Sequence, residues 1–189
     1  WHPFYGESSF TDKVRSNTYW RNYPFNVHSF KTWAFSLGFK GGYMVEEMVW
    51  RTDLDYVPDE RPHYTDIVAA KYAARAIIMH LGLNFTMVSS QMLMPSVIKL
   101  LPRYYVIRTL STVMAGADST SLLVQITSRA ENINSYSFVL PNGDLLIALW
   151  NDIVAEDYDA GVITTVSVQG ISAQNVTGID TLNGFQQPL

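Results

Sequence analysis

Gly41-Gly42-Tyr43-Met44-Val45-Glu46-Glu47-Met48-Val49-Trp50 begins like a buried strand and then carries two adjacent carboxylates. Two glycines open it, and Tyr43 and Val45 favour extended backbone, so a strand is expected over 43–49. A buried carboxylate is strongly unfavourable unless it is paired or neutralised. In parallel α/β proteins the side chains that do chemistry stand at the carboxyl ends of strands. Glu46 and Glu47 therefore mark the expected mouth of a site. Neighbours on a strand point to opposite faces, so only one of them can face it.

Downstream, a charged loop from Arg51 to Arg61 leads to Thr65, a suitable helix N-cap with Asp66 behind it. The spacing of Ile67, Ala70, Ala74, Ile77, Ile78 and Leu81 predicts a helix over 65–81, with Gly82 as its end. A short strand is expected over 84–89. Upstream, Trp1-His2-Pro3-Phe4-Tyr5-Gly6 has the look of a strand end, and the apolar spacing from Pro24 to Leu37 predicts a helix stopped by Gly38. Strand, helix, strand, helix, strand is the repeating pattern of a parallel α/β fold.

After Pro95 a further helix is expected to run through 107–114, kinked or divided at Pro102. Beyond Gly116 the pattern turns to β. Short runs at 122–127, 136–140, 144–150 and 162–168 alternate with polar turns, and Asn142-Gly143 is a strong hairpin signal. Segments 176–182 and 186–189 are further strand candidates. A change of domain is placed near 115–119, dividing the chain into 1–116 and an all-β part over 117–189. That connection is too short for a flexible linker, so the β part is expected to pack against the helices.

Composition narrows the function classes. At 48% hydrophobic the 189-residue chain has the makings of a sizeable core. A net charge of −4 offers no broad basic surface for nucleic acid or anionic membrane. No cysteine is present, which excludes disulfides, thiolate metal sites and a cysteine nucleophile while leaving secreted and cytoplasmic locations both open. The most apolar long segment, 67–83, is interrupted by Lys71, Arg75 and His80, too polar to span a membrane, and the chain is read as soluble.

Tyr43 to Trp50, followed by Ala69-Ala70-Lys71-Tyr72-Ala73-Ala74-Arg75-Ala76, resembles the seventh strand and seventh helix of clan A glycoside hydrolases, which are (β/α)8 barrels. His2-Pro3-Phe4-Tyr5 is similar to the end of their sixth strand, and Asn142 to Trp150 to the β-sandwich often appended to them. The resemblance implies a partial (β/α)8 barrel, strands six to eight, followed by an all-β sandwich. By the same resemblance the chain is the C-terminal part of a retaining glycoside hydrolase acting on a carbohydrate. Glu47 then aligns with the nucleophile and Trp50 with the tryptophan that follows it, while Val49 stands where the clan has glycine. The fourth-strand acid/base has no counterpart in the chain. The expected partners are a carbohydrate and either the missing N-terminal barrel portion or another copy; no cofactor or metal is implied. The alternative is a non-catalytic carbohydrate-binding or structural relative.

Each site residue has a structural reading beside the functional one. Glu47 is a nucleophile or a member of an ion pair; Glu46 is expected to pair with a helix cation such as Arg75. His2 and Tyr5 are substrate-binding side chains or an aromatic strand end, and Trp50 is a sugar-stacking surface or a core residue. The acidic run Asp53, Asp55, Asp59, Glu60 lacks the glycine and terminal Glu of a calcium loop and is read as a solvated loop; the second run, Asp152, Glu156, Asp157, Asp159, lies in a loop between two expected strands, with a calcium site as its lesser alternative. Asn84-Phe85-Thr86 and Asn175-Val176-Thr177 match a glycosylation sequon at chance level.

Overall fold

The computed structural model describes residues 22–48, 50, 52, 64–89, 101–172 and 175–189. Helix α1 spans Tyr23–Ser36, with Pro24 in its first turn, where the missing amide hydrogen costs nothing. Gly38 adopts φ +89°, its amide bonds the Phe35 carbonyl, and the Phe39 amide bonds the Ala34 carbonyl, which closes the helix in a left-handed C-terminal turn. Strand β1, Met44–Val45, follows.

Helix α2, Asp66–Gly82, is the centre of the molecule. Thr65 caps it by accepting from the Val68 amide at 3.2 Å, and Asp66 adds negative charge at the positive end of the helix dipole. At the far end Asn84, not Gly82, takes the left-handed position, at φ 64°. The Asn84 and Phe85 amides close onto the Leu81 and His80 carbonyls. Lys31 of α1 completes that terminus, its ammonium donating to the Leu83 and Asn84 carbonyls at 2.8 Å each. The same ammonium lies over the rings of Tyr43 and Phe85, at 4.6 and 4.4 Å from their centres. Lys31→Met keeps the apolar stem and removes the cap; urea denaturation should show a loss of about 1–2 kcal/mol.

Strand β2, Met87–Val88, returns parallel to β1, with Met44 opposite Met87 and Val45 opposite Val88. Helix α3, Pro102–Val113, packs on α2. Pro102 opens this helix at its first turn instead of kinking one that began earlier.

The β part consists of β3 (Asp118–Thr120), β4 (Val124–Ser128), β5 (Ile133–Val139), β6 (Leu145–Asn151), β7 (Thr164–Val168), β8 (Thr177–Ile179) and β9 (Gln186–Pro188). They form an antiparallel sheet in the order β3-β5-β6 and two antiparallel ribbons, β4-β7 and β8-β9. The Asn142-Gly143 turn joins β5 to β6: Gly143 sits at φ +86°, its amide bonds the Leu140 carbonyl, and the Asn142 side chain accepts from the Asp144 amide at 3.0 Å.

The expected partial barrel followed by a sandwich is not the architecture formed. Among the described residues there are three helices and mostly small antiparallel sheets, and the parallel element with named strands is a two-residue pair. The physical reason lies in α2. A barrel helix shows its outer face to water, whereas α2 is buried from Val68 to His80 at all but one position, Lys71. It is covered by α3, by β2 and by β3 and β5 of the antiparallel sheet. Nor do the ribbons close a second sandwich layer, since Leu123, Ile163 and Val166 beside and within β4-β7 stay exposed.

Polar anchors bind the β part to α2. Arg75 donates to the Ile153 carbonyl at 2.8 Å, and the Tyr72 hydroxyl accepts from the Ala155 amide at 3.1 Å. Lys71 pairs with Asp159 at 2.7 Å, and the Thr65 hydroxyl donates to Asp157. The second acidic run is thus a clamp on the first half of α2.

Candidate functional site

β1 ends in Val45, and the carboxylates follow at once. Val45 is fully buried against the core, Glu46 is exposed and Glu47 half-buried. The Val45 carbonyl accepts from the Ser89 amide at 2.8 Å, so Ser89 and Glu47 leave the parallel pair at the same, carboxyl end. Glu46 is exposed yet engaged in an interaction of its own, and Arg75 donates to the Ile153 carbonyl.

Behind Glu47 the chain dives into the core. Met48 is 0% and Trp50 1% exposed, so Trp50 presents no ring face to solvent and occupies the core position that was its alternative reading. Arg103, in the first turn of α3, holds this segment. The residue is 2% exposed, and its guanidinium donates to the Trp50 carbonyl at 2.9 Å, with a longer contact of 3.4 Å to the Thr52 hydroxyl. Thr52 in turn forms a parallel bridge with Tyr64, just before α2. A buried, charged donor to a carbonyl contributes more than a neutral one. Arg103→Met should lower stability by about 2–3 kcal/mol in urea denaturation. Sequence reasoning missed Arg103; its signal was a charged side chain directly after Pro102, at a helix start where dipole arguments disfavour it.

His2 and Tyr5, the other expected substrate-binding residues, and the acidic run at 53–60 lie outside the described residues. Among the described residues no group of His, Asp or Glu side chains is placed to hold a metal ion, and no helix is long and apolar enough to cross a membrane.

A groove of about 410 Å³ lies at the other end of β1, lined by Phe30, Trp33, Leu37, Phe39, Tyr43 and Met44, together with Ala34 and Gly42. Its rings contact one another: Phe30 and Phe39 approach Tyr43 with centres 6.0 and 5.1 Å apart. Trp33 is 60% and Phe39 45% exposed. The aromatic density of 25–43 was the sequence signal for it; helical spacing drew attention to a core face instead.

Comparison with known proteins returns nothing: no family model matches the chain, and neither does a curated protein or a solved structure.

Proposed function

We propose that this chain supplies the nucleophile of a retaining glycoside hydrolase, with Glu47 in that role. The observation that carries the reading is the position of Glu47: a half-buried carboxylate two residues beyond a strand, at the carboxyl end of a parallel pair joined by a helical crossover. A retaining mechanism needs a carboxylate that attacks the anomeric carbon and a second, protonated carboxyl about 5–5.5 Å away that protonates the leaving oxygen. Glu46 does not serve as that second group, because it adjoins Glu47 and neighbours in extended chain face opposite ways. The acid/base is to be sought elsewhere in the protein. Arg103 and the buried Trp50 make the backbone behind Glu47 rigid, which holds a nucleophile in one orientation. The test is hydrolysis of a panel of aryl glycosides by the protein that carries this chain. Turnover with retained anomeric configuration is expected; turnover with inversion rules the reading out.

A second reading, carbohydrate binding without turnover, is favoured by the aromatic groove, since apolar sugar faces stack on exposed rings such as Trp33 and Phe39. Glycan binding without any aryl glycoside turnover, lost in Trp33→Ala, would select it.

A further inference from the structure

One buried titratable group has no part in the proposed chemistry. His80, near the end of α2, is 0% exposed. Its Nδ1–H donates to the Ala76 carbonyl at 2.8 Å, which leaves Nε2 as an acceptor, and the Tyr23 hydroxyl of α1 donates to it at 2.7 Å. The rings of Tyr23 and Phe85 meet the imidazole edge-on, with centres 5.4 and 5.1 Å away. The charged and titratable groups that face it from packed elements are, among the described residues, the Tyr23 hydroxyl and the Lys31 ammonium, both on α1. Phe85 contributes only its ring.

Helix α1 is lightly held by comparison. Of its residues only Tyr23 and Val27 are buried, and Phe25, Trp33 and Phe35 are 60–70% exposed. Among the described residues, two polar tethers, Tyr23 to His80 and Lys31 to the Leu83 and Asn84 carbonyls, tie it to the C-terminal end of α2 and the turn that follows. Elements with few buried contacts open before the rest of a fold.

We infer that the Tyr23–His80 contact is an acid-operated latch, which holds α1 on α2 while the imidazole is neutral and releases α1 when it is protonated. An imidazolium in this place is shut off from bulk solvent and carries the same charge as Lys31. Separation of α1 hydrates His80 and moves the ammonium away. Burial lowers the His80 pKa from 6.5 to about 4, with the Ala76 carbonyl opposing and Lys31 reinforcing the shift. The open state therefore binds more protons between those two values, and the closed state loses stability as pH falls through that window. By pH 4.5 the open-to-closed ratio of α1 should rise close to a hundredfold over its value at pH 8.

Amide hydrogen exchange, corrected for the intrinsic effect of pH, reads this ratio element by element. The expected result is a rise confined to residues 23–36, with the β5–β6 hairpin unchanged, and loss of that rise in His80→Gln. An equal rise in the hairpin, or a rise retained in His80→Gln, overturns the latch. Should His80→Gln fail to fold, NMR titration of His80 in the wild-type protein decides: a pKa below 5 supports the latch and one near 6.5 overturns it.

Discussion

Replacing Glu47 by Gln should abolish glycoside hydrolysis, lowering kcat/KM by about 10⁴-fold or more, as loss of a nucleophile does. The amide is nearly the same size as the carboxylate but does not displace the leaving group to form a glycosyl ester. Because Glu47 is only half-buried, the fold should tolerate the change even with its interaction weakened, with thermal unfolding within about 1 kcal/mol of wild type. Two controls separate chemistry from damage. Glu46→Gln, on the exposed neighbour, should retain activity. In Glu47→Ala, added azide should attack the anomeric carbon in place of the carboxylate and release a glycosyl azide of inverted configuration. Activity undiminished in Glu47→Gln removes the proposed nucleophile.

The second large effect concerns the joint between α2 and the antiparallel sheet. Gly82, the last residue of α2, lies under Tyr136 of β5; a Cβ there would clash with Cδ1 of the ring and meet Cγ at 2.7 Å. The ring has little room to retreat, being stacked on Trp150 with centres 5.7 Å apart and planes 17° off parallel. Burial, reinforced by the charge of Asp152, raises the Tyr136 hydroxyl pKa to about 12, so the ring stays neutral at ordinary pH. Intrinsic helix propensity alone favours Gly82→Ala by about 1 kcal/mol. Overpacking costs about 1–3 kcal/mol and occasionally more, and a contact this close belongs at the upper end. The net expectation is a loss of about 2 kcal/mol and a fall of about 4–8 °C in Tm. A more stable Gly82→Ala variant would mean that the sheet does not lie on α2.

The sequence revealed those features that are decided within a few residues. Thr65 and Asp66 announced the start of α2, Gly38 ended α1 in a left-handed turn, and Asn142-Gly143 set the β5–β6 hairpin. The architecture escaped because it depends on distant partners. Lys71, Arg75 and His80 marked 67–83 as too polar to span a membrane, but not what they would meet: their polar atoms reach Asp159, the Ile153 carbonyl, and Tyr23 with Ala76. Those pairings, made with distant segments, let the helix be enclosed. Asn84 belongs to the cap of α2 instead of a strand, a position governed by φ and not by hydrophobic pattern. At the site, the odd Glu46-Glu47 pair was visible locally, whereas the burial of Trp50 depends on Arg103, 53 residues further along.

The most direct test of the functional account is covalent. An activated 2-deoxy-2-fluoro glycoside, matched to the aryl glycoside that the protein hydrolyses, slows breakdown of the glycosyl-enzyme so that the intermediate accumulates. Digestion and peptide mass spectrometry should find the fluorosugar on Glu47. A label on any other carboxylate, with Glu47 unmodified, contradicts the account.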